Sequence, residues 1–205
     1  MKNYLAAGLS LLILAAGIPN GVRAEVPHSL AGFVLGAPMR EFKDQVEMDT
    51  VLATRYLESL KEVEAKEIKG YKTGLVYYGT CLQPPRIIRL KFKYADSSKR
   101  FFDALLKRYT ENLGKPDKWR GDPFHIVIAW KWHFTDSDGN RISIILQHNT
   151  RDEDEKQGNA VKMTMWNLML AEDQCFEKEH PETQKPPNFT FTDPDSVNWK
   201  PLIPR

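Results

Sequence analysis

Residues 122–148 contain the densest group of side chains that could perform chemistry. They include His125, His133 and His148, two tryptophans and the acidic turn sequence TDSDGN. Imidazoles and carboxylates bind zinc and calcium, and together they serve as general acids and bases. A metal site, an acid–base site and a plain β-hairpin are therefore the three interpretations to separate.

The spacing of these residues argues against a metal site. His125 and His133 are eight residues apart on one strand face, which separates their Cα atoms by about 26 Å at ~3.3 Å per residue. Zinc–nitrogen bonds are only about 2 Å long, and a simple hairpin register sends His148 to the opposite face. The glycine of DSDGN comes too early for a calcium loop, and Gln147 stands where that loop needs a glutamate. The sequence predicts a hairpin turn at Asp138-Gly139, with no metal and no cofactor.

Motifs for nucleophilic catalysis are missing from the sequence. It contains no Gly-x-Ser-x-Gly, no Ser-x-x-Lys and no phosphate-binding glycine loop. We therefore expect a non-enzymatic binding or envelope-associated module of the periplasm. The alternative is a periplasmic hydrolase whose site is assembled from scattered residues, such as His133 or His125 with Asp122.

Strand alternation separates an apolar face from a basic one. In RIIRLKFKY (86–94) the apolar set is Ile88, Leu90, Phe92 and Tyr94, and in residues 126–134 the same reasoning assigns Trp130 and Trp132 to the core. The opposite face collects Arg89, Lys91, Lys93, Lys131, His133, Lys162 and Trp166. Such a face could bind an anionic envelope component, such as a lipid headgroup or a glycan polymer, or another periplasmic protein. A solvated face, balanced by the acidic residues 149–182, is the alternative.

The elements that would carry these faces follow from periodicity. Residues 96–113 show the strongest helical pattern, with an apolar stripe that ends at Gly114 and Pro116. Residues 51–68 fit either a helix or a strand, and a final helix bears Cys175. The order of elements predicts an α+β fold, a mainly antiparallel sheet with helices packed on one face, in a single domain over residues 25–180. A proline-rich, extended tail is expected over residues 181–205.

The N-terminus predicts export. Lys2 precedes an uncharged run of 15 residues, and Val22 and Ala24 suit a signal-peptidase site, so residues 1–24 are expected to form a signal peptide. Without them the chain has 27 basic and 27 acidic residues and no transmembrane segment. A neutral protein has no overall field that attracts nucleic acid. We expect a bacterial protein that is periplasmic or secreted.

Two cysteines, Cys81 and Cys175, remain in the expected mature chain. In an oxidising compartment such a pair predicts a disulfide. Closing a loop of this length would constrain the unfolded chain by about 4–5 kcal/mol in the entropy model. Free thiols and a catalytic Cys81 are the alternatives, although redox pairs usually lie close together in sequence.

Two segments, GFVLGAPMREF and LLKRYTENLGKPDKW, resemble parts of small exported bacterial α+β modules. The SmpA/OmlA and β-lactamase-inhibitor-protein-like modules are similar in their Leu-Gly turn before a first helix and in the Gly-x-Pro that ends a later helix. This chain lacks their lipoprotein cysteine and internal duplication. The resemblance implies only an envelope location and protein binding, and it assigns no functional residues.

Overall fold

The structure is a computed structural model that describes residues 26–55, 57–149 and 158–181. The predicted signal peptide, residues 150–157 and the predicted tail from residue 182 lie outside these residues. The described residues form ten strands, one 3₁₀ helix and two α-helices. In chain order they are β1 (Ser29–Leu30), β2 (Phe33–Val34), the 3₁₀ helix (Met39–Gln45), β3 (Val46–Ala53), β4 (Leu60–Ala65), β5 (Tyr71–Gly79), β6 (Ile87–Tyr94), α1 (Lys99–Leu113), β7 (Lys118–Trp119), β8 (Val127–Thr135), β9 (Arg141–Asn149), β10 (Asn159–Met165) and α2 (Trp166–Glu179).

Eight of these strands form one antiparallel sheet. Their spatial order is β3-β4-β5-β6-β10-β9-β8-β7, while β1 and β2 pair separately. The described residues of the ambiguous segment, 51–55 and 57–68, belong to β3, β4 and the turns around β4. The predicted fold class is confirmed, because the structure is a mainly antiparallel sheet with helices packed against it.

The helices divide between the two faces of the sheet. The face covered by α1 and the 3₁₀ helix is here called the core face, and its buried residues include Leu90, Phe92 and Trp132. On the opposite face, Met169 of α2 packs with Leu60, Tyr77 and Ile88. The sequence predicted helices on one face, whereas α2 packs on this second face.

A β-bulge in β6 corrects one detail of the predicted alternation. Tyr77 pairs with Arg89 and Tyr78 pairs with Ile87, so Ile88 is an extra residue between the two pairs. The side chain of Ile88 therefore packs under α2, and the prediction that it shares a face with Leu90 is wrong.

Polar side chains fasten α1 to the core face. Ser98 caps the helix by accepting a hydrogen bond from the Phe101 N–H, and Gly114 ends it with a positive φ. The Asn159 amide donates to the carbonyl oxygens of Asp96 and Ser98, and its own oxygen lies 2.8 Å from Nδ1 of His148. His148 is thus a buried structural residue on the core face.

A disulfide and a buried carboxylate fasten α2 to the end of the second face. Cys81 is bonded to Cys175, with a Cα–Cα distance of 5.9 Å, so the predicted disulfide is confirmed. The Glu172 carboxylate accepts hydrogen bonds from the backbone N–H groups of Cys81 and Leu82. A Cβ at Gly79 would lie 2.2 Å from Cδ of Glu172, so only glycine leaves room for this carboxylate. Within the described residues, neither α-helix has the length and apolar character needed to cross a bilayer.

Candidate functional site

The sheet face opposite the core face, called the basic face below, carries six of the seven residues that the sequence singled out. Antiparallel partners share a face, and the observed register pairs Arg89 with Thr164, Lys91 with Lys162, and Lys93 with Ala160. On the β8 side, Lys131 lies opposite Ile145 and His133 lies opposite Ser143. The seventh residue, Trp166, is the first residue of α2 and not the last of a strand. Its ring covers Lys131 from above.

Four of the lysines on the basic face form a row that crosses the sheet. Lys91 pairs with Lys162, Lys162 with Ile145, Ile145 with Lys131, and Lys131 with Lys118. The row spans four strand spacings, or about 19 Å at ~4.8 Å per strand. Leu75 continues it beyond Lys91.

Burial and mutual repulsion lower the pKa values of Lys91, Lys131 and Lys162. For Lys162, burial is the main cause, followed by the charges of Arg89, Lys91 and Lys131. Burial likewise lowers the pKa of Lys91, where Lys93 and Arg89 add to the effect and Glu62 opposes it. The charged forms are therefore held at unfavourable positions, because desolvation and like charges both disfavour an ammonium ion.

Carboxylates do little to balance this charge. Among the residues that the structure describes, no carboxylate oxygen lies within 4 Å of Lys91, Lys131 or Lys162. Arg89 donates from Nε to the Thr164 hydroxyl at 3.1 Å. The basic face therefore carries partly desolvated cations whose charge is not neutralised by nearby carboxylates.

The structure adds cations that the sequence reasoning missed. Lys118 pairs with Lys131, and the Arg120 N–H donates to the Ala129 carbonyl, so both residues extend the basic face at its edge. Strand β7 has only two residues, which is too short for alternation to identify. The spacing of Lys118 and Arg120 around Trp119 was the available signal.

Lys131 and Trp166 form the most enclosed part of the basic face. Lys131 is 7% exposed, and its Nζ lies 5.5 Å from the centroid of the Trp166 ring. The indole N–H of Trp166 donates to the Ser143 hydroxyl at 2.8 Å. This bond fixes the ring over the lysine, in a geometry that favours a cation–π interaction.

The residues considered for acid–base chemistry are arranged differently from the prediction. Asp122 accepts hydrogen bonds from the backbone N–H groups of Phe124 and Val127 and so stabilises a turn. The acid beside His133 is Asp117, at 3.3 Å from Nδ1. Ser143 is the cross-strand neighbour of His133 on the same face. His133 thus lies between Asp117 and Ser143, as the histidine of a Ser-His-Asp triad lies between its two partners. However, Ser143 is only 3% exposed and bonds to Trp166.

In the described residues, two groups of side chains of metal-binding type already have structural partners. The aspartate-rich segment forms a turn in which Asp136 accepts from the N–H groups of Asp138 and Asn140, as the sequence predicts. Cys81, Cys175 and Glu179 bring three ligand-type atoms together, but the two sulfur atoms are already joined in the disulfide.

Comparison of the chain with known protein families, with characterised proteins and with solved structures finds no significant match in any of the three. A proposal for the function therefore rests on the arrangement of the basic face.

Proposed function

We propose that this protein is a non-enzymatic binding module, exported to the periplasm or secreted, whose basic face docks on an acidic surface of another protein. The single observation that carries the proposal is the row of Lys91, Lys162, Lys131 and Lys118. The first three of these lysines are partly desolvated, and the row has no carboxylate oxygen within 4 Å among the described residues. An acidic partner would neutralise this row. The disulfide and the predicted signal sequence support an oxidising compartment.

The apolar residues between the lysines favour a protein over a polyanionic polymer or a membrane. Leu75 and Ile145 are half-buried members of the same row, and Tyr77 lies beside Arg89 at the end near α2. Protein interfaces combine aromatic and aliphatic contacts with arginine and a polar rim. A polymer of anionic sugars or a lipid headgroup layer would use the charges but would leave these apolar side chains without complementary contacts.

The first experiment compares defined acidic probes. Binding of the mature protein to poly-glutamate, to a sulfated glycan and to phosphatidylglycerol vesicles is measured by titration calorimetry at two salt concentrations. We expect the strongest binding for the polypeptide, because the methylene groups of its side chains cover Leu75 and Ile145 while its carboxylates pair with the lysines. A marked loss at high salt is expected because these pairs are electrostatic. Stronger binding of the glycan or of the vesicles would overturn the choice of partner.

A matched pair of charge reversals locates the contact. The double variant Lys91→Glu/Lys162→Glu should lower the affinity for poly-glutamate by at least about tenfold. The control, Lys107→Glu/Arg108→Glu, changes the same charge on the exposed side of α1. Equal affinities for the two variants would refute a role of the basic face.

A serine hydrolase is the second candidate, favoured by the adjacency of Asp117, His133 and Ser143. The burial of Ser143 and its bond to Trp166 oppose it, because a nucleophile must reach its substrate. A fluorophosphonate probe, which phosphonylates an activated serine hydroxyl with loss of fluoride, discriminates the two. Labelling of the native protein that disappears in Ser143→Ala would establish the hydrolase and remove the first proposal's claim of a non-enzymatic role.

A further inference from the structure

A cavity of about 410 Å³ lies where the first turn of α2 meets the outer part of β8. Its lining includes Lys131, His133, Arg141, Trp166 and Leu170. Cavities of about 300–1,000 Å³ are typical of small-molecule sites, which combine an apolar surface with a few polar groups. This cavity has that composition.

Lys131 is the side chain that points to a ligand. It is more than nine-tenths buried, and it contributes to the lining of the cavity. Within the described part of the chain it has no hydrogen-bond or ion-pair partner, and its ammonium group lies over the Trp166 ring. The stem of Lys131 is buried, whereas its ammonium group opens onto the cavity, since no side-chain nitrogen of the described residues is both buried and without a partner. An anion in the cavity would pair with this ammonium group.

Other features of the cavity also favour negative charge. Arg141 brings a further cation to its wall, where His133 lies beside the Asp117 carboxylate. Trp166 is the first residue of α2, so the positive end of the helix dipole lies beside the cavity. The helix begins without a side-chain cap at Met165.

The remaining wall suits an apolar body. The Trp166 ring is held in place by its bond to Ser143, and Leu170 is 44% exposed on the next turn of α2. A flat or branched hydrocarbon group could cover both side chains, while a charged group attached to it reaches Lys131. An inorganic anion alone would leave Leu170 uncovered.

We propose that this cavity is a binding site for a small organic anion, in which a carboxylate or phosphate group is attached to an aromatic or branched aliphatic body. The acidic group pairs with Lys131 and Arg141, and the apolar body packs on Trp166 and Leu170. This site overlaps the proposed docking row at Lys131, while its other cation, Arg141, and its apolar wall, Trp166 and Leu170, lie outside that row.

The test uses phenyl phosphate as the probe and follows the indole N–H signal of Trp166 in ¹H–¹⁵N NMR spectra, assigned with Trp166→Phe. We expect saturable shifts of this signal with a Kd of about 1 mM, the range expected for a ligand of this size. Phenol has the aromatic ring without the phosphate group, and inorganic phosphate has the acidic group without the ring. Each should bind at least about tenfold more weakly than phenyl phosphate. Equal binding of either one, or no shift at Trp166, would overturn the proposal.

Variants separate this site from the proposed partner surface. Lys131→Met and Arg141→Gln should each weaken phenyl phosphate binding several-fold, and the exposed position of Arg141 makes its variant safe for folding. Lys91→Glu, three strands away from Lys131 in the sheet, should leave phenyl phosphate binding unchanged while it lowers the affinity for poly-glutamate. Loss of phenyl phosphate binding in the latter variant, or its retention in Lys131→Met and Arg141→Gln, would contradict the site. Failure of the poly-glutamate experiment alone would leave it intact.

Discussion

The two faces of the eight-stranded sheet are built from alternating residues of the same strands. They differ in how their apolar side chains are packed and in how their polar side chains are paired. Phe92 is fully buried on the core face, among Phe33 and Tyr71. Its neighbour Lys91 lies on the basic face, half-buried and beside three other cations of that face. The packing of the core face stabilises the fold. The basic face contains like charges that repel one another and so do not contribute to stability.

Polar groups follow the same division. On the core face, the Trp132 indole donates to the Gly114 carbonyl at 2.9 Å, and the hydroxyls of Tyr94 and Tyr109 bond at 2.8 Å. On the basic face, Lys131 and Lys162 have no ion pair with the described residues. Proteins tolerate such features where function needs them, so the difference between the faces is itself an argument for a role of the basic face.

The largest expected effect comes from breaking the core face. Phe92→Ala removes a buried ring that packs over Gly74, where an added Cβ would lie 2.2 Å from the ring. We expect the free energy of unfolding to fall by about 3–5 kcal/mol, measured by urea denaturation. Lys91→Ala, at the adjacent position on the basic face, is the control and should change stability by less than about 1 kcal/mol. Similar decreases in the free energy of unfolding for the two variants would show that both faces contribute equally to stability.

Removal of the disulfide should weaken α2 selectively. Cys81→Ala/Cys175→Ala opens a link between residues 94 positions apart, and we expect a loss of about 2–5 kcal/mol. Because α2 is held by this bond and by Glu172, hydrogen exchange should accelerate in α2 before it does in α1. Equal acceleration in both helices would mean that the disulfide stabilises the whole domain and not the α2 end of the basic face.

Removal of one charge from the basic face should have a smaller effect and an opposite sign. Lys162→Met keeps the length of the side chain and removes its repulsion with Arg89, Lys91 and Lys131. We expect the free energy of unfolding to rise by about 0.5–1 kcal/mol, while binding of poly-glutamate weakens. Lys107→Met on α1, where Lys107 lies 4.0 Å from Glu111, is the control and should be neutral or slightly destabilising. A destabilised Lys162→Met would imply a favourable partner for Lys162 in the folded chain.

The sequence predicted most of this division because alternation is a local property. Arg89, Lys91 and Lys131 were assigned to one face from period two alone, and the disulfide followed from the number of cysteines. The bulge at Ile88 was missed, since an extra residue in one strand depends on its partner β5. The pairing of Lys118 with Lys131 required the sheet register, as did the proximity of His133 to Asp117.

The position of α2 illustrates the limit of periodicity. Its sequence indicates a helix, but the face on which it packs depends on contacts of Met169 with Tyr77 and Ile88, more than 80 residues earlier in the chain. The cavity beside Lys131 exists only because of that placement. Properties within one strand or helix could therefore be predicted, and those that combine distant elements could not.

The dependence of stability on pH separates the lysines of the basic face from the buried tyrosines by sign. On the basic face, the pKa values of Lys91, Lys131 and Lys162 are lowered mainly by burial. Between those lowered values and the unfolded value of about 10.4, the unfolded chain binds more protons, so stability should rise with pH. On the core face, burial raises the pKa of Tyr109 to about 12, and that of Tyr94 is also raised. Above the unfolded tyrosine value of about 10, the folded chain binds more protons and stability should fall.

Urea denaturation from pH 7.5 to 11.5 should therefore give a maximum near pH 10. Lys162→Met should flatten the rising side and leave the falling side unchanged. Tyr109→Phe, which keeps the ring but removes the ionisable hydroxyl, should flatten the falling side only. If both variants altered the same side, the assignment of the rising side to lysine repulsion and of the falling side to buried tyrosine hydroxyls would be wrong. If each altered its own side, the electrostatic strain on the basic face would be measured without knowledge of any partner.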